Sequence, residues 1–169
     1  MKLPKTILLI FGILISLKSF ACTCKTKSLS EWQKWEIENS ECIFIGEVID
    51  VNKTDLTFKI KVTESLDGGD SVGNIYIGKN WKYCHPYVEK IGKWIVYGNM
   101  ENGFLRLNMC GISRGFDEPS TLTPEHTPPP PKSTNEQIDF KKIREEYFVK
   151  SKKDLELEII ALRKKRDEE

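Results

Sequence analysis

Histidine is nearly absent from this chain: His85 and His126 are the only two in 169 residues. No His-Glu-x-x-His run, Gly-x-Ser-x-Gly turn or glycine-rich phosphate loop occurs, so the patterns behind most zinc, serine and nucleotide enzymes are missing. The chain reads as a noncatalytic protein without a cofactor. Long apolar runs are scarce as well. The one at Thr6 to Leu17 spans twelve residues and is closed by Lys18, against the ~20 residues that cross a bilayer. Nor is there a basic excess to draw nucleic acid. The whole chain carries +1, and without its first 21 residues it holds 23 basic and 25 acidic side chains, a net −2.

The first 21 residues read as an export signal. Lys2 and Lys5 supply the charged start, Thr6 to Leu17 the apolar stretch, and Ser19 and Ala21 the small residues before a cut. Cleavage after Ala21 makes Cys22 the first mature residue and predicts a secreted, periplasmic or cell-surface protein with no membrane span. A retained anchor stays open, as does a lipoprotein, although lipidation favours Leu three residues before the cysteine and Ser19 stands there.

Residues 22 to 116 contain all five cysteines and most of the strand-forming residues. Ser28 or Ser30 can cap a short helix through about Asn39, with Gln33 three residues after Ser30 and with Leu29, Trp32 and Trp35 near one face. Strands follow. Ile43 to Val51 is β-branched and apolar, and Leu56 to Thr63 alternates, after a turn at Asn52 to Asp55. Asn74 to Ile77, Lys93 to Tyr97 and Phe104 to Met109 complete five strands, with Asn102-Gly103 turning the last pair. Five short strands over this length predict a small closed barrel, a mainly β fold.

Pro119, Pro124 and Pro128 to Pro131 mark residues 117–133 as a stiff, hydrogen-bond-poor linker in which His126 is solvated. Residues 134–169 form a charged helical tail, opened by a Thr134–Gln137 capping box. Its apolar stripes, Phe140, Ile143 and Tyr147, then Leu155, Ile159 and Leu162, are interrupted at Lys150, Ser151 and Asp154. That interruption favours a helix packed on the barrel or on an unknown partner over a coiled coil.

The opening Cys-Thr-Cys, then SECIFIGEVIDV, FKIKVTESLDG, YCHPYVEKIGKWIVYG and ENGFLRLNMC, occur in the order seen in one family. Over Cys22 to about Arg114 the chain resembles bacterial proteins similar to the inhibitory domain of tissue inhibitors of metalloproteinases (TIMPs). The resemblance implies a five-stranded barrel of the oligonucleotide/oligosaccharide-binding (OB) type. Vertebrate members carry a third bridge and a cysteine-rich second domain that have no counterpart here.

Setting one cysteine aside leaves three ways to pair the other four. The family pattern implies Cys22 with Cys84 and Cys24 with Cys110, each closing a long loop worth roughly 4 kcal/mol of chain entropy. Cys42 is then a buried thiol packed like a small apolar residue. The resemblance further implies that the Cys22 α-amine and carbonyl oxygen form a clamp on the catalytic zinc of a target metalloendopeptidase. An amine of pKa ~8 is partly neutral near physiological pH, and its lone pair can displace the water such a zinc needs. Thr23 would enter the specificity pocket of the target.

Cys84 would bring Asn80, Trp81, Lys82 and Tyr83 alongside, with core packing and partner contact both open for Trp81 and Tyr83. Two other readings stand beside inhibition. One is a structural zinc site built from Cys22, Cys24, Cys84 with His85, and Cys110. The other is a noncatalytic envelope or extracellular module that binds a protein, peptide or glycan through Trp81, Tyr83, Tyr87 and Trp94.

Overall fold

The computed structural model describes residues 22–128 and 139–168. The expected export signal, the prolines from 129 onward and the expected Thr134–Gln137 cap lie outside them. Helix α1 (Leu29–Asn39) is followed by β1 (Cys42–Asn52), β2 (Thr57–Ser65), β3 (Ile75–Lys79), β4 (Gly92–Glu101), β5 (Phe104–Leu107), the two-residue β6 (Arg114–Gly115) and helix α2 (Phe140–Glu168). Strands β1 to β5 pair in the order β1-β2-β3-β5-β4, and β4 pairs back onto β1. The barrel is therefore closed. All its pairings are antiparallel except β3 with β5, which meet parallel at Gly78 and Leu105. This is an OB-type barrel with a helical tail.

Two apolar clusters share the β1 and β4 strands. Phe44, Val48, Phe58, Ile60, Val62, Trp94, Val96 and Leu105 fill the barrel. Ile43, Ile45, Ile95 and Tyr97 point the other way and meet Leu29 and Trp32 of α1 and Leu155, Ile159 and Leu162 of α2. Both faces of β1 and β4 are thus covered, which explains their near-continuous apolar runs, while β2 keeps the alternation of a strand with one wet face. Each large side chain buried this way contributes about 1.5–3 kcal/mol. Gly78 is required where β3 closes the barrel, because a Cβ there would fall inside the Phe58 ring.

Several boundaries differ from the sequence reading. Of the two caps expected for α1, Ser28 is the one used, but its capping box takes Glu31 rather than Gln33: the Ser28 amide donates to Glu31 Oε2 at 2.8 Å and the Glu31 amide donates to Ser28 Oγ at 3.3 Å. Ser30 lies within the helix, and Gln33 is free to reach α2. Leu56 belongs to the β1–β2 turn, with φ +57°, because Asn52 Oδ1 accepts from the amides of Thr54 and Asp55 and tightens the bend. Asn102 and Gly103 both have positive φ, +52° and +80°, as a type I′ hairpin requires.

The larger difference concerns residues 117–128. Rather than a hydrogen-bond-poor tether, this segment is tied to both helices. Glu125 Oε2 accepts from the Leu29 amide at 3.1 Å, the Glu125 carbonyl accepts from Lys150 Nζ at 2.9 Å, and Ser120 Oγ lies 3.3 Å from Ser151 Oγ. His126, expected in solvent, is buried. Its Nδ1 accepts from the Thr121 amide at 3.1 Å, which leaves the proton on Nε2, 3.1 Å from Asp154 Oδ2. Burial lowers its pKa, consistent with a neutral ring.

Two buried carboxyl side chains fasten the helices to the barrel. Glu158 of α2 accepts from Tyr97 Oη at 2.6 Å, from Gln33 Nε2 at 2.6 Å and from Arg114 Nη2 at 3.0 Å. Glu36 of α1 accepts from the Ile112 amide at 2.9 Å, from Ser40 Oγ at 3.1 Å and from Asn108 Nδ2. At its far end α2 is held by Arg163 and Arg166, whose guanidinium groups meet Glu64 at 2.6 and 3.4 Å. Among the described residues, no helix is long and apolar enough to cross a membrane.

Candidate functional site

The segment before α1 has no regular structure, and its course is set by two covalent anchors. Cys22 is bonded to Cys84 and Cys24 to Cys110, with Cα–Cα distances of 5.7 and 5.5 Å and sequence separations of 62 and 86. Of the three possible pairings this is the one the family pattern implies. With four thiols consumed as two disulfides, they are not available as the thiolate ligands of a structural zinc site. Among the described residues, no group of three or more His, Cys, Asp and Glu side chains is placed to hold a metal ion.

The anchors are themselves well supported. The Cys110 amide donates to the His85 carbonyl at 2.7 Å, so the two bridged segments are joined to each other. The loop that carries Cys84 is closed by buried Asn80: its Nδ2 donates to the Val88 carbonyl at 2.8 Å and its Oδ1 accepts from the Val88 amide at 2.9 Å. Asn80 thereby imitates a strand partner where β3 has ended. Cys22 is partly exposed, and Thr23 and Cys24 are exposed. A braced backbone with an uncovered edge is the result.

Trp81 divides its surface between two roles. Its Nε1 donates to the Leu107 carbonyl at 2.8 Å, and the Arg106 guanidinium lies 4.8 Å from its ring centroid. Arg106 Nη1 also donates to the carbonyls of Lys79 and Asn80 at 3.1 and 3.2 Å. Trp81 is thus a half-buried strut of the loop. Tyr83, by contrast, is 70% exposed, and Lys82 Nζ lies 5.1 Å from its ring centroid. Tyr87 is half-buried and Trp94 packs in the barrel core, and both also line a surface pocket with His85 and Lys90. His85 is half-buried, with its pKa lowered by that burial.

Cys42 is buried and unbonded, and its thiol pKa is pushed up to about 12 by burial and by Asp70 and Asp67 nearby. Such a group stays protonated and unreactive. Sequence reasoning placed Asn80 beside Cys84 without its supporting role, and it did not single out Arg106 or Met109, which support or border this edge. Arg106 carried a faint signal as the one charge in the apolar strand Phe104–Leu107.

No protein-family profile and no curated protein matches the sequence.

Proposed function

We propose that this chain, once cleaved after Ala21, is a secreted inhibitor of zinc metalloendopeptidases that works through its new amino terminus. The observation that carries the reading is the exposed Thr23–Cys24 edge with both flanking cysteines bonded to the barrel. An inhibitor of this kind loses affinity for every backbone residue it must order on binding, about 1–2 kcal/mol each. Here the ordering is done beforehand by covalent bonds.

Cleavage would leave the α-amine and carbonyl oxygen of Cys22 on the same residue, where they can close a five-membered chelate on a metal. A catalytic zinc reserves one position for the attacking water, so two ligands from the inhibitor remove the nucleophile. The amine must be neutral to donate its lone pair. With a pKa of ~8 it loses its proton at modest cost near neutrality, and affinity rises with pH until the amine is fully neutral. Thr23 follows at once as a small, exposed side chain suited to a specificity pocket, and Tyr83 flanks it as an apolar contact.

The same edge also suits a noncatalytic module that binds a protein, peptide or glycan, because exposed Tyr83 sits beside Lys82 irrespective of any metal. One experiment separates the two. Mature protein beginning at Cys22 is compared with protein bearing one extra Ala before Cys22, against a panel of zinc endopeptidases. The clamp predicts that the extension weakens inhibition at least about a hundredfold, equivalent to about 2.7 kcal/mol. Equal potency of the two forms removes the clamp and leaves the binding module.

A further inference from the structure

The two segments joined by the Cys22–Cys84 bridge have a one-sided charge. Residues 22–27, Cys-Thr-Cys-Lys-Thr-Lys, and residues 79–85, Lys-Asn-Trp-Lys-Tyr-Cys-His, contain four lysines and no carboxylate. Arg106 of β5 adds a fifth cation beside Trp81. Elsewhere among the described residues some cations are matched, Lys59 with Asp50, Lys90 with Glu118, Arg163 and Arg166 with Glu64, and others such as Lys34, Lys53, Lys61 and Lys93 are not, so what sets this edge apart is the clustering of its lysines without a carboxylate in either segment. Among the described residues, Lys25, Lys27, Lys79 and Lys82 form no ion pair. Two acids border the patch: Glu101 pairs with Arg106 at 3.8 Å, and Glu31, which caps α1 through Ser28, also feels the charge of Lys27, so the unpaired cations of the edge are its four lysines.

Three of these four lysines rest on rings instead. Lys27 Nζ lies 4.5 Å from the Trp32 centroid and 5.3 Å from that of Trp35, Lys79 Nζ 5.2 Å from Phe104, and Lys82 Nζ 5.1 Å from Tyr83. A cation over a ring is oriented and partly dehydrated without being neutralised. Its charge is still there for a carboxylate, and less water must be stripped when one arrives. Tyr83 at 70% exposure and Met109 at 48% supply apolar contact among them. Apolar anchors rimmed by polar groups are the anatomy of a protein–protein interface. Cations spread over three segments, most of them held over separate rings, fit the scattered carboxylates of a protein surface better than the dense charge of a sulfated glycan.

We propose that the face around Cys22 docks on an acidic protein surface, so that the metalloendopeptidases this chain engages are those whose cleft margins carry Asp and Glu. The inference rests on the inhibitory reading of the same edge for the identity of the partner, while the acid preference belongs to the surface itself. Opposite charges of this kind raise association rates and make them depend on salt.

The test uses the mature protein and a ten-residue polyglutamate peptide as probe, with binding followed by tryptophan fluorescence and amide chemical shifts at low and high ionic strength. Two double variants carry the same change in net charge: Lys25→Glu with Lys82→Glu on the edge, and Lys59→Glu with Lys61→Glu on β2. All four lysines are exposed, and because the β2 pair faces Asp50 and Glu47 across the ladder, urea unfolding checks that both variants are folded before binding is compared. The edge variant is expected to bind the peptide at least about tenfold more weakly, the β2 variant less than about threefold, and shifts are expected at residues 22–27 and 79–85. Equal weakening in both variants, no binding at low salt, or preferential displacement by heparin through the same lysines each overturns the proposal. The form with an extra Ala before Cys22 should bind the peptide as well as the mature form. Peptide binding without any inhibition would therefore refute the zinc clamp alone, whereas inhibition indifferent to salt and to the edge lysines would refute the acid preference alone.

Discussion

Replacing Glu36 by Gln should change how stability depends on pH. The side chain is fully buried, and burial raises its pKa from 4.5 to about 7 despite the donors Asn108, Ile112 and Ser40 that favour the ionised form. Between those two values the folded protein holds a proton on Glu36 that the unfolded chain has released. By linkage, the stability this group contributes is fully present below about pH 4.5 and is lost as pH rises through about 7. At about 1.4 kcal/mol for each pH unit separating the folded and unfolded values, the loss amounts to about 3 kcal/mol. Gln cannot titrate. The free-energy difference between Glu36→Gln and the parent, from urea unfolding at a series of pH values, should therefore move by about 3 kcal/mol in favour of Gln between acid and mildly alkaline conditions. Taking the difference also removes His85 and His126, whose lowered pKa values act in the opposite sense and are common to both proteins. A difference that stays flat across the range would refute the account of Glu36 as a carboxyl kept neutral by burial.

Gly111→Ala should destabilise the protein by about 1–3 kcal/mol in the same unfolding assay, since the new Cβ would collide with Glu36 Oε1 and crowd the Asn108 carbonyl. An unchanged midpoint would mean that α1 can shift away from that loop. Cys42 should resist alkylation in native protein and react after unfolding, because its thiol is buried and its pKa stands at about 12. Rapid native labelling, read by mass spectrometry, would show that the start of β1 opens.

The five barrel strands were legible because their signal is local. Period-two alternation over Thr57–Ser65 and the Asn102-Gly103 turn depend on neighbours a few residues away, and such patterns survive in a sequence read alone. Boundaries were less so. Leu56 has the character of a strand residue, yet the Asn52 side chain folds it into the turn. The segment 117–128 was misread for a different reason: proline content says that a stretch avoids helix and sheet, but it is silent about side-chain bonds such as His126 to Asp154, 28 residues on. The stripe of Leu155, Ile159 and Leu162 announced a packed face on α2 without naming the surface that covers it.

The residues alone determined that strands would form, that a helix would begin near Ser28, and that any cut after Ala21 would place two cysteines at a new amino terminus. The tertiary structure decided which cysteines meet, that α2 lies on the outer face of β1 and β4, and that Glu36 and Glu158 are buried rather than solvated. The division follows from range: strand and cap preferences arise within a turn or two of chain. A carboxylate such as Glu158 is held by Tyr97, 61 residues away, and by Arg114, 44 residues away, and only the closed barrel brings those groups together.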